Sequence, residues 1–280
     1  MTHYLENSSA DDVSHIWSDT SSTKTNTYAV CFIISLKYYR NYEIYIKYYV
    51  DNIQKIYENH LIIIVDNNSV YIQDIHKMFE NYKNVIIITN NDECKFEIGA
   101  YNVGIKYLIA NNLIENYHYY VFTQDNFVLK NKYDFNFLLE NNIYACPIHN
   151  WLSFPDFERN AISSRETYCK LIKMLNLEDC TDALSLCWCL AFVLQKSKIL
   201  DYFEITRDVV ITTRSGSEEY ERCLSLILYY LNNKVKCSLD GCVTQVNYDY
   251  ISGNIYDNNT SRYFIKKLQQ KNENTVDIPT

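Results

Sequence analysis

The sequence predicts an α/β fold in which a mostly parallel sheet is flanked by helices, wound in both directions from its centre. Three observations predict it. Runs of large β-branched or aromatic residues stop abruptly at Asp, Asn and Gln, as in LIIIVDNNS at 61–69 and YYVFTQDNFVL at 119–129, which is how a parallel strand buried on both faces reaches its carboxyl edge. Segments of helical period separate such runs, so strand and helix alternate. Between the two polar strand ends falls a glycine-marked helix start, FEIGAYNVGIKYL at 96–108. Ligands of open α/β sheets bind along the carboxyl edge, so these stretches together predict a polar crevice for a phosphate-bearing ligand.

The elements follow in order. YAVCFIISL at 28–36 reads as a first buried strand. In YEIYIKYYVDNIQKIY, residues Ile46, Tyr49, Val50, Ile53, Ile56 and Tyr57 recur at helical spacing and mark an amphipathic helix. A second strand at 61–66 leads to a helix marked by Ile72, Ile75 and Phe79, then to a third strand, NVIIITN, at 84–90. A helix from about 97 to 111, with Ile98, Tyr101, Ile105 and Leu108 on one face, precedes a fourth strand at 119–124. Beyond 130 the elements shorten: a strand at 143–147, a loop carrying His149, Trp151 and Pro155, a helix near 164–176 and a strand at 186–194. A helix from 218 to 231 follows, with Tyr220, Cys223, Leu224, Ile227, Leu228 and Leu231 inward. Residues 1–26 and the last dozen, QQKNENTVDIPT, lack apolar periodicity and read as a disordered arm and a flexible tail.

With 280 residues, 48% hydrophobic and 21% charged, the chain has material for one domain or two closely fused halves. A net charge of −8 argues against a broad nucleic-acid footprint, which needs clustered Lys and Arg. No apolar run reaches the ~20 residues of a membrane span, and MTHYLENSSADD lacks the basic then apolar order of a signal peptide, so a cytoplasmic protein is expected. Ten Cys in such a chain are expected to be reduced thiols. Cys187 and Cys189 share a face and could join Cys180 and a His around zinc, but no second pair at ligand spacing supports this, and buried thiols are preferred. The 27 Tyr, with many Asn, Ile and Lys, read as a coding bias of an AT-rich genome, such as that of a large DNA virus or a protist.

Four clusters carry candidate chemistry. Asp66, Asn67, Asn68 and Ser69 end a strand, where a carboxylate accepts from a base or from ribose hydroxyls; the same residues also suit a turn capped by its own side chains. Gly99, Ala100, Asn102 and Gly104 lie in the first turns of a helix. Each glycine weakens that helix by ~1 kcal/mol, which calls for either tight packing on the sheet or close approach of a diphosphate. Asp125 stands where Mg²⁺ or Mn²⁺ bridging two phosphates would sit, with Gln124 and Asn126 adding neutral oxygens, or else it caps a strand end. Glu218 and Glu219 follow Arg214, Ser215, Gly216 and Ser217. Ser215 and Glu218 fit a capping box, while a carboxylate near a bound diphosphate also suits proton removal from an acceptor hydroxyl. His149 is a further candidate, and neither GxxxxGK[ST] nor GxGxxG is present.

In this order the motifs resemble those of GT-A fold glycosyltransferases, particularly the inverting family-2-like enzymes. The resemblance rests on FIIS at 32–35, IIIVDNNS at 62–69, GAYNVG at 99–104, FTQDN at 122–126 and GSEEYER at 216–222. The run CWCLAFVLQKSKILDYF at 187–203, expected as a strand, also resembles the segment before the family's acidic helix. It implies a Rossmann-like GT-A domain over 27–268, with a nucleotide-sugar-binding half at 27–130 and an acceptor-side half at 131–268. Ser35 and Asp66 would touch the nucleotide, Asp66 at the base, with Asn67 and Ser69 beside it. Gly99, Ala100 and Asn102 would border the sugar diphosphate, with Gln124 also on the donor side. Asp125 would hold the divalent metal, Mn²⁺ or Mg²⁺. Glu219 stands where the family has its catalytic Asp and would deprotonate the acceptor hydroxyl, with Glu218 supporting it.

The implied activity is hexosyl transfer from a nucleotide-diphosphate-sugar to a hydroxyl of a glycan, protein or lipid, by single displacement with inversion. Two departures stand out: the family's DxD is reduced to Gln124, Asp125 and Asn126, and the base is Glu in place of Asp. An inactive GT-A-like protein binding glycans or partners is therefore an alternative. A nucleotidyltransferase is a further one, and would need a second metal-binding acid.

Overall fold

The computed structural model describes residues 28–37, 43–69, 72–129, 131–133, 135–148, 152–153, 166–177, 185–187, 190–235, 243–246 and 264–267. The expected arm at 1–26, the tail at 269–280, the loop with His149, Trp151 and Pro155, and Cys180 and Cys189 lie outside these residues.

Along the chain run β1 (Val30–Leu36), α1 (Glu43–Ile56), β2 (His60–Asp66), α2 (Ile72–Phe79), β3 (Val85–Thr89), α3 (Phe96–Ala110), β4 (Tyr119–Gln124) and β5 (Phe127–Leu129). There follow α4 (Asn136–Glu140), β6 (Ala145–Pro147), β7 (Leu152–Ser153), α5 (Glu166–Met174), β8 (Ser185–Leu186), β9 (Phe192–Gln195), α6 (Lys196–Thr206), α7 (Arg214–Leu231), β10 (Val243–Val246) and β11 (Phe264–Lys267). The main sheet has six strands in the order β3-β2-β1-β4-β9-β6. The first four are parallel, and β9 runs antiparallel to both β4 and β6. The expected α/β architecture, a mostly parallel sheet flanked by helices, is what the structure has.

Each face of the sheet carries its own core, which explains the unbroken apolar runs. Val30, Phe32, Ile34 and Leu36 of β1 pack with Ile46, Tyr49, Val50 and Ile53 of α1 and with Ile75 and Phe79 of α2. Cys31 and Ile33 face the other way, with Ile98, Tyr101, Ile105 and Leu108 of α3 and the inward faces of α6 and α7. Burying each of these large side chains contributes about 1.5–3 kcal/mol, so the strand alternation and the helical periods fix one another. Cys31 and Cys94 are free thiols within this packing, and burial raises the pKa of both.

Three expectations in the second half are corrected. The run at 186–194 is not one strand: Ser185–Leu186 pairs with β7, the chain turns at Leu190 with φ of 50°, and β9 begins only at Phe192. The stretch at 187–203, expected as a strand, becomes helical from Lys196, because Ile199, Tyr202 and Thr206 recur at helical spacing and are buried. The last long helix also starts earlier than 218, at Arg214. Among the described residues, no helix is long and apolar enough to cross a membrane.

Candidate functional site

β1, β2 and β4 lie side by side, and their register brings Leu36 opposite Asp66 and Ser35 opposite Gln124. The ladder continues one residue beyond each strand. Asn67 donates its backbone N–H to Leu36 O at 2.9 Å, and Asp125 donates to Ser35 O at 3.0 Å. Ser35, Asp66 and Asp125 therefore meet at one carboxyl rim, and Lys37 N–H donates to Asp125 Oδ2 at 3.1 Å.

Asp66 is buried, and its two carboxylate oxygens accept from Ser69 N–H at 3.0 and 3.1 Å. The turn is helped by Asn68 at φ of 62°, a conformation Asn tolerates better than most residues. Of the two roles the sequence allows for Asp66, capping its own turn is the one its hydrogen bonds describe. Asn67 donates to Ser35 Oγ and to Phe96 O, each at 3.1 Å, and its Oδ1 accepts from Asn90 Nδ2 at 2.8 Å. Asn90, fully buried at the end of β3, also donates to Cys94 O at 2.9 Å and accepts from Asp92 N–H at 3.0 Å. Sequence reasoning passed over it, although it ends the third apolar run just as Asp66 ends the second.

The α3 residues expected beside the donor are placed differently. A Cβ on Gly99 would lie 2.0 Å from the Cys94 carbonyl oxygen, and one on Gly104 would lie 2.7 Å from Ile33 Cγ2. Tight packing thus accounts for both glycines. Ala100 is fully buried. Asn102 donates to Thr206 O and accepts from Thr206 Oγ1, both at 2.8 Å, tying α3 to α6 inside the core. Gly99, Ala100 and Asn102 thus sit on the helix faces that meet the sheet, the 90–94 loop and α6.

The chemistry-bearing residue of this segment is Glu97, which the sequence reading missed. Its Oε1 accepts from Gln124 Nε2 at 2.6 Å and its Oε2 accepts from Ser217 Oγ at 2.8 Å. One carboxylate thus joins the end of β4, the start of α3 and the first turn of α7. Burial, with the Glu97 charge adding to it, raises the pKa of the neighbouring Tyr101 phenol well above its ordinary value. Because a carboxylate only accepts, the Gln124 amide must turn its NH₂ toward Glu97, which directs its carbonyl oxygen elsewhere.

The cap of α7 differs from the expected box. Thr213 is the N-cap, its Oγ1 accepting from Gly216 N–H at 3.1 Å. Ser215 and Glu218 consequently lie inside the helix. Glu218 is exposed and accepts from Arg214 Nε at 2.9 Å, a surface pair of small energetic weight. Ser217 is buried and Glu219, in the next turn, is half-buried.

Among the described residues no group of three or more His, Cys, Asp or Glu gathers for a metal. A divalent ion at the rim would have Asp125 and the Gln124 carbonyl as hard oxygen ligands. This set fits Mg²⁺ or Mn²⁺ when phosphates and water complete the shell. An open hollow of about 530 Å³, lined by Asp51, His60, Tyr82 and Asn84 among others, lies at the amino end of β2, away from the rim.

No protein-family model matches the chain, and no curated protein matches it in sequence. Solved structures resemble it in three dimensions. Residues 1–349 of S. aureus TarS in complex with UDP-GlcNAc are 13% identical, with a TM-score of 0.46, over 86% of this chain and 59% of that one. S. aureus TarS itself is 14% identical, with a TM-score of 0.46, over 86% of this chain and 37% of that one. The bifunctional glycosyltransferase WbbM, in its apo structure, is 14% identical, with a TM-score of 0.40, over 75% of this chain and 38% of that one. The chain thus spans less than two thirds of the length of each.

Proposed function

We propose that this chain is a GT-A, family-2-like glycosyltransferase that moves a hexose from a nucleotide-diphosphate-sugar to a hydroxyl of a glycan, protein or lipid in the cytoplasm. The observation that carries the proposal is the meeting of Ser35, Asp66 and Asp125 at one carboxyl rim, to which Glu97 ties the helix bearing Glu219. Three of the motifs that resemble the family, FIIS, IIIVDNNS and FTQDN, lie on the three strands that end at this rim. Ser35, Asn67 and the Asp66–Ser69 turn would border the nucleotide, and Gln124 and Asp125 the sugar diphosphate. The donor half would span 27–130 and the acceptor-side half 131–268.

In the proposed reaction the acceptor oxygen attacks the anomeric carbon as the bond from that carbon to the diphosphate oxygen breaks. The acceptor proton passes to the Glu219 carboxylate, and one displacement inverts the configuration. A divalent ion held by Asp125 would supply positive charge beside the departing diphosphate. Glu218 would support Glu219 from the solvent side of α7.

A second reading, a GT-A-like binding protein without transferase activity, is favoured by the closure of Asp66 on Ser69 and by the single acid at the metal position. One experiment tests both: thermal denaturation with UDP-, GDP- and dTDP-sugars, with and without Mn²⁺, followed by a transfer assay on whichever binds. A donor at a hundred times its Kd adds about 2.7 kcal/mol and raises Tm by a few degrees. Binding with turnover is expected. Binding without turnover supports the second reading, and no shift with any donor overturns the first.

A further inference from the structure

Glu97 lies between two groups that the proposed reaction keeps apart: Gln124 at the donor rim and the first turn of α7, which leads directly into Glu218 and Glu219. Its half-buried carboxylate spends one oxygen on each, at 2.6 Å to Gln124 Nε2 and 2.8 Å to Ser217 Oγ. Both are charge-assisted hydrogen bonds, shorter and stronger than neutral ones. They also set direction. With its NH₂ held by Glu97, Gln124 offers its carbonyl oxygen to a sugar hydroxyl or a cation, and Ser217, donating inward, fixes the rotation of the first turn.

These groups form a chain that runs from a ligand through Gln124 and Glu97 to Ser217 and α7, and linked hydrogen bonds polarise one another. The far end of that chain is held lightly. Besides Glu97, the turn is secured by Ser217 N–H to Thr213 O and Gly216 N–H to Thr213 Oγ1, each at 3.1 Å, and by the surface pair of Arg214 with Glu218, and Arg214, Ser215 and Glu218 are exposed. Exposed backbone hydrogen bonds at a helix start open at low cost. A second tether from Glu97 therefore changes how often this turn opens.

We propose that Glu97 is a positioning residue that couples occupancy of the rim at Gln124 to the order of the first turn of α7. Donor binding thereby steadies the turn that leads into the acidic pair before an acceptor arrives. The inference rests on the proposed donor site and deepens it, since the specificity of the rim then includes an oxygen acceptor fixed by Glu97.

The test is hydrogen–deuterium exchange of the full chain over residues 213–219, with and without saturating UDP-, GDP- or dTDP-glucose and Mn²⁺, alongside calorimetric titration of the same donors. In the wild type, the donor that binds slows exchange of this segment at least threefold. Glu97→Gln keeps the shape but loses the charge. With that donor raised to a concentration that saturates the variant, as the titration shows, it loses the slowing. Ser217→Ala, which leaves Glu97 and Gln124 untouched, also loses it, whereas Ser217→Thr, which keeps a hydroxyl, retains it. Equal slowing in Glu97→Gln and Ser217→Ala overturns the coupling, as does a wild type that binds donor without any slowing. A wild type that binds none of the donors overturns the donor site and the coupling together.

Discussion

At the carboxyl rim, Asn67 spreads its amide over Ser35, Phe96 and Asn90 while remaining half-exposed. In α3, Asn102 buries the same group against the backbone and hydroxyl of Thr206. Glycine divides in a similar way from its usual functional association, since Gly99 and Gly104 give room to a carbonyl and to Ile33 inside the fold. Residue type therefore does not distinguish a rim position from a packing position in this protein. Distance from the ends of β1, β2 and β4 does, and the Glu97 side chain of α3 reaches Gln124 at the end of β4.

The comparison breaks first at Glu219. On the proposed function, Glu219→Gln lowers kcat about a thousandfold, about 4 kcal/mol of barrier, with donor affinity unchanged. A transfer assay beside a donor titration measures both, and undiminished turnover moves the base elsewhere. Next comes Gly99→Ala, whose methyl would press on the Cys94 carbonyl. It should cost about 3 kcal/mol of stability in urea denaturation. A variant of unaltered stability would return Gly99 to the rim. Asn102→Ala removes the two hydrogen bonds it makes with Thr206 and should cost about 2 kcal/mol, yet leave donor affinity as it was, because the contact lies in the α3–α6 interior.

The smallest effect belongs to the amino end of the sheet, which serves as a control. Burial lowers the pKa of His60, opposed by its contact with Tyr57 O at 2.5 Å. The unfolded chain, with His near 6.5, takes up the proton first. The stability linked to His60 is therefore complete above about pH 6.5 and lost as pH falls through the folded value. His60→Gln should flatten a slight fall in denaturation midpoint between pH 7.5 and 5.5 and leave donor binding alone. A change in donor affinity would extend the site across the sheet.

The strands of the rim were legible because both faces of β1, β2 and β4 are buried, so their apolar runs end only where the sheet ends. α1 and α3 were legible from their periods. α6 was hidden because the apolar run from Leu190 to Leu194 looks continuous with Ile199 and Leu200, and only the burial of Tyr202 and Thr206 reveals a helical face. The start of α7 was hidden because Arg214, Ser215 and Gly216 look like a turn until Thr213 is seen to cap them. Glu97 carries no local signal: its partners are 27 and 120 residues away. A lone acid at a helix start reads as a response to the helix dipole. Long-range pairing of this kind is set by topology, which a single sequence gives only in outline.

The rim is tested most directly by titrating the wild type and Asp125→Ala with the same nucleotide-sugar in Mn²⁺. Saturable binding by the wild type, weakened tenfold or more in Asp125→Ala at an unchanged Tm, is the predicted result. Equal affinity in both proteins, or no binding to the wild type, would contradict a donor site built on the ends of β1, β2 and β4.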